Sequence, residues 1–221
     1  MAVQLVVFDM AGTTVHDGDA VLTSFRDALT TAGRSATPAT INAVMGLPKP
    51  EAIRRLVGPD VPQVEVTAIH DDFVARMMRY YATDPAVREV DGASRLFARL
   101  RSEGVKVALN TGFSRAIVQV LLGRLGWREG ELIDASVTSD EVQRGRPHAD
   151  MILHLMQRLG VKDSRLVAKV GDTPSDLQEG MAAGCGWVIG ITSGTHSRAQ
   201  LASEAHTHLV DALSEIPALL R

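Results

Sequence analysis

The sequence contains a single cysteine, Cys185, and this scarcity excludes an internal disulfide framework. Aromatic residues make up only 4% of the chain, and the formal net charge of −3 comes from interspersed charges of both signs. Nucleic acid is therefore not expected as a partner. No uninterrupted apolar run reaches the roughly 18 residues of a membrane-spanning helix, so no membrane partner is expected. The lone cysteine and the absence of a leader-like N-terminus predict a cytoplasmic protein.

Short runs of β-forming apolar residues recur along the chain and predict buried strands. The predicted strands are Leu5–Phe8, Val105–Asn110, Ala135–Thr138, Val167–Val170 and Trp187–Ile191. Helix-like stretches separate the strands from the second one onward. This alternation predicts an α/β protein with a Rossmann-like, doubly wound parallel sheet.

The long interval after the first strand has helical spacing and no convincing strand. Its apolar periodicity and breakers predict helices at Leu22–Ala32, Thr40–Met45, Glu51–Val57 and Val64–Tyr81. We therefore predict an inserted all-helical cap domain at residues 17–84, and a core domain formed by residues 1–16 and 85–221. Asp17-Gly18 and Asp84-Pro85 are the predicted hinges between them.

Polar residues follow four of the predicted strands at the point where each strand ends. In open parallel sheets ligands bind beyond the carboxyl ends of the strands, so these residues are the first candidates for a site. They occur in the segments Asp9-Met10-Ala11-Gly12-Thr13-Thr14, Asn110-Thr111-Gly112, Gly145-Arg146-Pro147 and Gly171-Asp172-Thr173-Pro174-Ser175-Asp176. We expect the four segments to converge on one point.

The side chains in these segments predict phosphoryl-transfer chemistry. Asp9, Asp172 and Asp176 would supply or orient the oxygen ligands that Mg²⁺ prefers. Arg146 and the hydroxyl of Thr111 would hold phosphoryl oxygens, while a carboxylate nucleophile would divide the transfer into two steps. Taken singly, each aspartate could instead be a strand-end or helix cap. Their occurrence together at successive strand ends favours the catalytic interpretation.

These residues resemble, in the same order, the four motifs of the haloacid dehalogenase superfamily. The matching residues are Asp9 with Gly12-Thr13, then Thr111, then Arg146, then Gly171-Asp172 with Asp176. The resemblance covers nearly the whole chain and implies that Asp9 forms an aspartyl-phosphate. It also implies that the Ala11 backbone carbonyl and Asp172 bind Mg²⁺, with Asp176 supporting the metal site. Thr111 and Arg146 would then orient the phosphate.

Ala11 stands where phosphatases of the superfamily usually carry a second aspartate, which protonates the leaving oxygen. In this respect the chain resembles the phosphonatases, or phosphonoacetaldehyde hydrolases. The shared segments are Asp9-Met10-Ala11-Gly12-Thr13-Thr14, Thr111-Gly112-Phe113-Ser114-Arg115, Gly145-Arg146-Pro147 and, in the cap, Met45-Gly46-Leu47-Pro48-Lys49. The resemblance implies that Lys49 is a Schiff-base lysine, and that substrate and phosphate contact Gly12, Thr13, Met45, Gly46, Gly112 and Phe113.

Lys49 would explain how a phosphonatase works without an acid at Ala11. Cleaving a P–C bond directly would expel a carbanion, whereas an aldehyde condensed with Lys49 to a protonated imine leaves as a neutral enamine. The attack requires a free amine, so the lysine pKa must lie below its usual value of about 10.4. Pro50 suits the start of the predicted helix Glu51–Val57, which places Lys49 at the positive helix end. Burial under a closed cap would lower the pKa further.

Three positions depart from the phosphonatase pattern. Ala52 stands where these enzymes have a histidine, Phe113 where they have a tyrosine, and Asp19 where they have a cysteine near the cap. The substrate is therefore either a small phosphonate or a small phosphate ester, the latter for a phosphatase or phosphomutase. A non-catalytic phosphate-binding module is a further alternative, which the intact Asp9 opposes. Phosphonatases are dimers through their caps, and the apolar faces of the fourth predicted cap helix would allow a similar homodimer.

Overall fold

The computed structural model describes residues 2–220, which contain a six-stranded parallel sheet and a separate two-stranded antiparallel ribbon. The strands are β1 (Leu5–Phe8), β2 (Val15–His16), β3 (Arg88–Glu89), β4 (Lys106–Thr111), β5 (Ala135–Thr138), β6 (Val167–Gly171), β7 (Trp187–Ile191) and β8 (His208–Val210). The order in the large sheet is β5-β4-β1-β6-β7-β8, and β2 pairs with β3 in the ribbon. β1 therefore lies in the interior of the sheet, between β4 and β6.

Helices cover the sheet and fill the interval between the two ribbon strands. They are α1 (Ala20–Thr31), α2 (Pro38–Asn42), α3 (Lys49–Val57), α4 (Gln63–Thr83), α5 (Ala93–Ser102), α6 (Arg115–Leu125), α7 (Asp150–Leu159), α8 (Pro174–Ala182), α9 (Arg198–Leu201) and α10 (Ile216–Leu219). None of the helices in residues 2–220 has the length and apolar character needed to cross a membrane.

The central strand is apolar throughout because both faces of the sheet are covered. All four residues of β1 are fully buried. Leu5 and Val7 pack into one hydrophobic cluster and Val6 and Phe8 into another, as expected from side chains that alternate between the two faces of a strand. Each face of the sheet thus has its own apolar layer, and the strand ends carry the polar residues.

The helices α1 to α4 form the segment between β2 and β3. α1 packs against α4, where the rings of Phe25 and Phe73 lie 4.5 Å apart. The chain leaves and re-enters through the ribbon, in which Val15 pairs with Glu89 and His16 with Arg88. The two connections to the helical segment therefore run side by side.

The predicted fold class is confirmed, with local corrections. β4 runs one residue further than predicted, so Thr111 lies inside the strand rather than after it. The predicted helix Thr40–Met45 is wrong: the helix is Pro38–Asn42, because Thr37 caps it by accepting a hydrogen bond from the Thr40 backbone N–H, and Pro38 occupies its first turn.

Other elements were missed or begin earlier than predicted. α3 begins at Lys49 instead of Glu51. Sequence periodicity did not reveal β8 or the β2–β3 ribbon, since these strands have only two or three residues and are too short for an alternating pattern to be recognised. α8 follows the expected start signals, with Thr173 and Asp176 forming a capping box.

The helical segment touches the strand ends through glycines. A Cβ atom on Gly112 would lie 2.5 Å from the Leu47 carbonyl oxygen, and one on Gly46 would lie 2.4 Å from Thr173 Oγ1. Neither approach leaves room for a side chain. The segment around Gly46 and Leu47 is therefore held against the carboxyl edge of the sheet by backbone proximity.

Substituting Gly112 tests this contact. We expect Gly112→Ala to push residues 43–48 away from the sheet, because the new methyl group meets rigid backbone carbonyls. Hydrogen exchange measured by mass spectrometry should then become faster in that segment. Gly123→Ala is the matched control, since Gly123 is an exposed helical residue with nothing within 4 Å of an added Cβ. It should leave exchange in the segment unchanged and stabilise the protein by up to about 1 kcal/mol. Equal exchange in both variants would contradict the contact.

Candidate active site

A cavity of about 780 Å³ lies at the carboxyl edge of the sheet, between the strand ends and the helical segment. Asp9 enters it from the end of β1 and Thr111 from the end of β4. Arg146 enters from the loop before α7, and Lys49 from the first turn of α3. The expected convergence of the strand ends is observed, since Asp9, Thr111, Arg146 and Thr173, one residue from each of the four predicted segments, line one cavity together with Lys49.

Asp9 is paired with a buried guanidinium. Arg146 is 1% exposed, and its Nη1 lies 2.8 Å from Asp9 Oδ1 and 3.0 Å from Asp176 Oδ1. Its Nε lies 3.1 Å from Glu179 Oε2. Burial raises the pKa of Asp9 to about 7; Arg146 opposes this shift, and Asp176 and Asp172 reinforce it. The free site thus holds Asp9 near the boundary between its acid and carboxylate forms at neutral pH.

Asp172 is fixed by hydrogen bonds from both sides. Thr13 Oγ1 donates to Asp172 Oδ1 at 2.8 Å, and the Thr195 backbone N–H donates to Oδ2 at 2.7 Å. Added Cβ atoms on Gly12 and Gly194 would lie 2.3 Å and 2.4 Å from Asp172 Oδ2, so only glycine fits at these two positions. Burial raises the pKa of Asp172 to about 6, and the nearby Asp176 adds to the rise.

Asp176 lies beside two cations. Its Oδ1 is 2.8 Å from Lys169 Nζ and 3.0 Å from Arg146 Nη1. Burial acts to raise the pKa of Asp176, but the charges of Arg146 and Lys169 lower it below its usual value. Asp176 is therefore held as a carboxylate and is connected to Asp9 through Arg146.

Asp9, Asp172 and Asp176 together form a buried carboxylate cluster in which one oxygen of each lies within 4.8 Å of the others. The Ala11 carbonyl is a further candidate ligand: the N–H groups of Thr13, Thr14 and Val15 donate to Met10, and within residues 2–220 no backbone N–H donates to Ala11. Hard oxygen donors of this kind fit a small divalent cation. The residues present therefore suit a metal site.

The end of β4 forms the opposite wall of the cavity. Thr111 is nearly buried, and its Oγ1 accepts a hydrogen bond from the Phe113 backbone N–H at 3.3 Å. Gly112 lies under the carbonyls of Gly46 and Leu47. The predicted substrate-contacting residues also line the cavity: Gly12, Met45, Gly46, Gly112 and Phe113. Thr13, the remaining one, bonds Asp172 instead of facing the cavity.

Lys49 has an unusual environment for a lysine. It is 4% exposed, and its Nζ lies 4.9 Å from the ring centre of Phe113 and 5.6 Å from that of Phe25. The only hydrogen bond that it donates among residues 2–220 goes to the Leu47 carbonyl, at 3.4 Å, and no carboxylate there pairs with it. Burial lowers the pKa of Lys49 to about 8, although the charge of Asp9 opposes this.

The first residue of α3 is Lys49 itself, between Pro48 and Pro50. Its amine therefore belongs to the positive end of a helix, where an ammonium ion is disfavoured. Both predicted causes of a lowered pKa, helix position and burial, are present in the structure. Burial is the larger of the influences that the structure resolves.

Sequence reasoning missed two charged residues below the cavity. Lys169 in β6 and Glu179 in α8 are fully buried, and their side chains lie 3.3 Å apart. Lys169 Nζ also donates to Asn110 Oδ1 at 2.6 Å, and Asn110 Nδ2 donates to Glu179 at 2.9 Å. A lysine inside the apolar strand Val167-Ala168-Lys169-Val170 was the available signal. Arg115 is not among the residues that line the cavity, and it pairs with Glu141.

Comparison with known proteins agrees with this arrangement. The family model described as haloacid dehalogenase-like hydrolase matches residues 6–189. A phosphonoacetaldehyde hydrolase from Bacillus cereus is 30% identical over 212 residues, which cover 88% of this chain and 78% of that protein. A phosphonoacetaldehyde hydrolase from Syntrophobacter fumaroxidans is 32% identical over 204 residues, which cover 86% of this chain and 72% of that protein.

A similar fold occurs in a solved structure. The phosphonoacetaldehyde hydrolase-like protein from Oleispira antarctica superposes with a TM-score of 0.89 over 100% of this chain and 92% of that one. The two sequences are 22% identical. The likeness therefore concerns the fold.

The buried ion network below the cavity yields a stability prediction. We expect Lys169→Met to lower the free energy of unfolding by about 3 kcal/mol or more, because Asp176 and Glu179 would lose a buried cationic partner. Urea denaturation followed by circular dichroism measures this change. Lys162→Met is the matched control, since Lys162 is exposed, and it should change stability by less than about 0.5 kcal/mol. A Lys169→Met protein as stable as this control would mean that the network is not required for folding.

Proposed function

Because the chain belongs to the haloacid dehalogenase-like hydrolase family, we propose that it is a magnesium-dependent, phosphonatase-like hydrolase. In this proposal it cleaves the P–C bond of phosphonoacetaldehyde or a related small phosphonate, through an imine on Lys49 and a phosphoenzyme on Asp9. The observation that carries the proposal is the buried amine of Lys49, which shares a cavity with Asp9 and has no carboxylate partner among residues 2–220.

The environment of Lys49 favours nucleophilic attack. A pKa of about 8 gives an appreciable fraction of free amine near neutral pH, whereas an ordinary lysine would be almost wholly protonated. The rings of Phe25 and Phe113 shield Nζ from water and stabilise a cation by their faces. The buried environment lowers the pKa of the Lys49 amine, and its aromatic faces also accommodate the cationic imine that forms next.

The proposed reaction proceeds in two covalent steps. Lys49 Nζ condenses with the aldehyde carbon, and water leaves, so that a protonated imine forms. An oxygen of Asp9 then bonds to phosphorus as the P–C bond breaks, and the bonding electron pair forms a C=C bond while the C=N pair moves to nitrogen. The products are a neutral enamine on Lys49 and a phosphorylated Asp9. Since carbon leaves as an enamine, no acid is required at Ala11.

The cavity provides groups for the phosphonate. Arg146 neutralises Asp9 in the free site and would orient a phosphoryl oxygen once the nucleophile is engaged. Thr111 Oγ1 and the Gly112 backbone lie on the opposite wall, and Gly12 allows close approach beside Asp172. These residues would hold three oxygens around phosphorus between the two nucleophiles.

The carboxylate cluster is the proposed place for Mg²⁺. Asp9, Asp172 and the Ala11 carbonyl would be its protein ligands, and Asp176 would support them through Arg146 and Lys169. When bound, the cation supplies positive charge that screens the phosphonate and keeps the aspartates ionised. Thr13 and the Thr195 backbone hold Asp172 in place for this purpose.

A closed cap would exclude water from both nucleophiles. We assign the cap to residues 17–84 and its hinges to the two connections beside the β2–β3 ribbon. The contacts of Gly46 and Leu47 with the sheet edge place Lys49 over the cavity in the closed arrangement. Opening at the ribbon would admit substrate and release product.

A second candidate function is that of a phosphatase or a phosphomutase, which would hydrolyse a small phosphate ester or move its phosphoryl group to another position. Ala52 favours it, because this fully buried residue of α3 cannot transfer protons where phosphonatases have a histidine. In that case Asp9 would still carry the phosphoryl group, and Lys49 would only contact the substrate. Dependence of turnover on Lys49 separates the two functions.

Phosphate release from phosphonoacetaldehyde tests the proposed function. With Mg²⁺ present, we expect turnover in the wild type and a loss of at least about 100-fold in both Lys49→Arg and Asp9→Asn. Borohydride should trap the substrate on Lys49 in the wild type. The matched control Lys162→Arg alters an exposed lysine and should keep full activity. If the protein turned over only phosphate esters, and if this activity were lost in Asp9→Asn and kept in Lys49→Arg, the protein would be a phosphatase and not a phosphonatase.

Affinity for Mg²⁺ should depend on pH. The cation binds carboxylates, and the free protein holds protons on Asp9 up to about pH 7 and on Asp172 up to about pH 6. Binding must release these protons, so affinity should rise about 100-fold between pH 5.5 and pH 8. Isothermal titration calorimetry in buffers of different ionisation enthalpy measures both the affinity and the proton release. Asp172→Asn should abolish the heat of binding, and an affinity independent of pH would refute the assignment of these ligands.

A further inference from the structure

Asp17 lies at the start of the helical segment and lines the same cavity as Lys49 and Asp9. Its Oδ2 accepts a hydrogen bond from the Tyr81 hydroxyl at 2.8 Å. Tyr81 belongs to α4 and is fully buried, so the hydroxyl has a fixed position. Asp17 therefore presents an oriented carboxyl group that the two covalent steps on Lys49 and Asp9 do not use.

Aromatic rings connect this pair to the amine. The ring of Tyr81 meets that of Phe113 edge-on, with centres 5.9 Å apart, and Phe113 lies 4.9 Å from Lys49 Nζ. The charge of Asp17 is close enough to raise the pKa of Lys49. Asp17 and Lys49 thus line one cavity, and the contact of the Tyr81 and Phe113 rings lies between the Asp17–Tyr81 pair and the amine.

Among residues 2–220, the groups in direct contact with Lys49 Nζ are not proton donors for a bound aldehyde. The groups around Nζ are the rings of Phe25 and Phe113 and the carbonyl of Leu47. None of these carries an ionisable proton. Yet a carbinolamine loses its hydroxyl as water only after protonation, so imine formation requires an acid within reach.

The buried position of Asp17 favours a carboxyl group that holds its proton. Burial raises the pKa of Asp17 to about 6; the Tyr81 hydrogen bond and His16 oppose the rise, while Asp19 and Asp9 add to it. Both protonation states are therefore populated near neutral pH. A group of this kind can act as an acid in one step and as a base in another.

We propose that Asp17, oriented by Tyr81, is the acid and base for the imine on Lys49, an inference that rests on the proposed function. The Asp17 carboxyl group gives its proton to the carbinolamine hydroxyl. The C–O bond breaks with its electron pair on oxygen, water leaves, and the nitrogen lone pair forms the C=N bond. After P–C cleavage the enamine carbon takes a proton from solvent water, a second water molecule adds to the carbon of the product imine, and Asp17 takes back a proton from that second water. Asp17 thus ends each cycle as it began.

Imine formation can be measured separately from P–C cleavage. In an Asp9→Asn background the P–C bond stays intact, so mass spectrometry of samples quenched with borohydride counts the Lys49 adduct of phosphonoacetaldehyde alone. We expect Asp17→Asn in that background to form the adduct about 100-fold more slowly. Asp84→Asn is the matched control: Asp84 lies on the other connection and accepts a hydrogen bond from the Ala86 backbone N–H, which asparagine can also accept. It should form the adduct at the reference rate.

The pH profile distinguishes a proton donor from a charge that only acts at a distance. With Asp17 present, the rate should rise up to about pH 6 as free amine accumulates on Lys49, and it should change little between about pH 6 and about pH 8, where the gain of amine is offset by the loss of the Asp17 proton. Above about pH 8 the rate should fall, because the amine is already free and Asp17 continues to lose its proton. Asp17→Asn should keep the rise and lose the fall. The hydrogen bond from Tyr81 lowers the pKa of Asp17, so Tyr81→Phe, which keeps the ring, should raise that pKa and move the break near pH 6 to higher pH.

Each outcome decides the matter. The charge of Asp17 raises the pKa of Lys49. If Asp17 were not the acid, Asp17→Asn would therefore only increase the fraction of free amine on Lys49 and speed adduct formation. An unchanged or faster rate in Asp17→Asn, with adduct still formed in the reference protein, would overturn the role of Asp17 and leave the proposed function standing. No adduct in the reference and no phosphate release by the wild type would overturn both.

Discussion

Arg146 and Lys169 lie buried beneath the nucleophile and balance three buried carboxylates, those of Asp9, Asp176 and Glu179. An isolated buried charge would be strongly unfavourable, so these groups can occupy the interior only as a paired set. The network sets Asp9 at the end of β1 in a fixed position and keeps Asp176 ionised. The carboxylate cluster, and with it the proposed metal site, depends on this balance of charge.

The amine of Lys49, in contrast, is buried without a charged partner among residues 2–220. It is as buried as Asp9 but has aromatic faces and a carbonyl around it instead of carboxylates. Burial without a partner favours the neutral form, whereas burial with partners favours the charged form of Asp176. An ionised carboxylate, that of Asp176, and an amine that can lose its proton, that of Lys49, are therefore found at the same site. The helical segment provides the amine, and the sheet provides the carboxylates.

The motif residues could be predicted because each lies at the end of a strand or in the segment after it, and strands are recognisable from apolar runs. Asp9, Thr111, Arg146 and Asp172 all lie at the predicted edge of the sheet. The position of Lys169 inside an apolar strand marked it as buried, but its partners Asp176 and Glu179 are brought to it only by the packing of α8 on β6, and a glutamate in a helix has no pattern that marks it as buried. The strand β8 was missed because three residues cannot show a period. The role of Asp17 also remained hidden, as its partner Tyr81 is 64 residues away.

The order of polar residues along the chain, the alanine at position 11 and the lysine at position 49 are properties of the sequence, and they were sufficient to identify the superfamily and a branch within it. Packing decided which of the charged groups are neutralised and which are isolated. The reason is physical: a pKa depends on burial and on charges within a few ångströms, and those distances exist only when β1, β4, β6 and the helical segment meet. The pairing of Asp17 with Tyr81 across the helical segment, and the place of Asp17 in the same cavity wall as Lys49, were determined at that level alone.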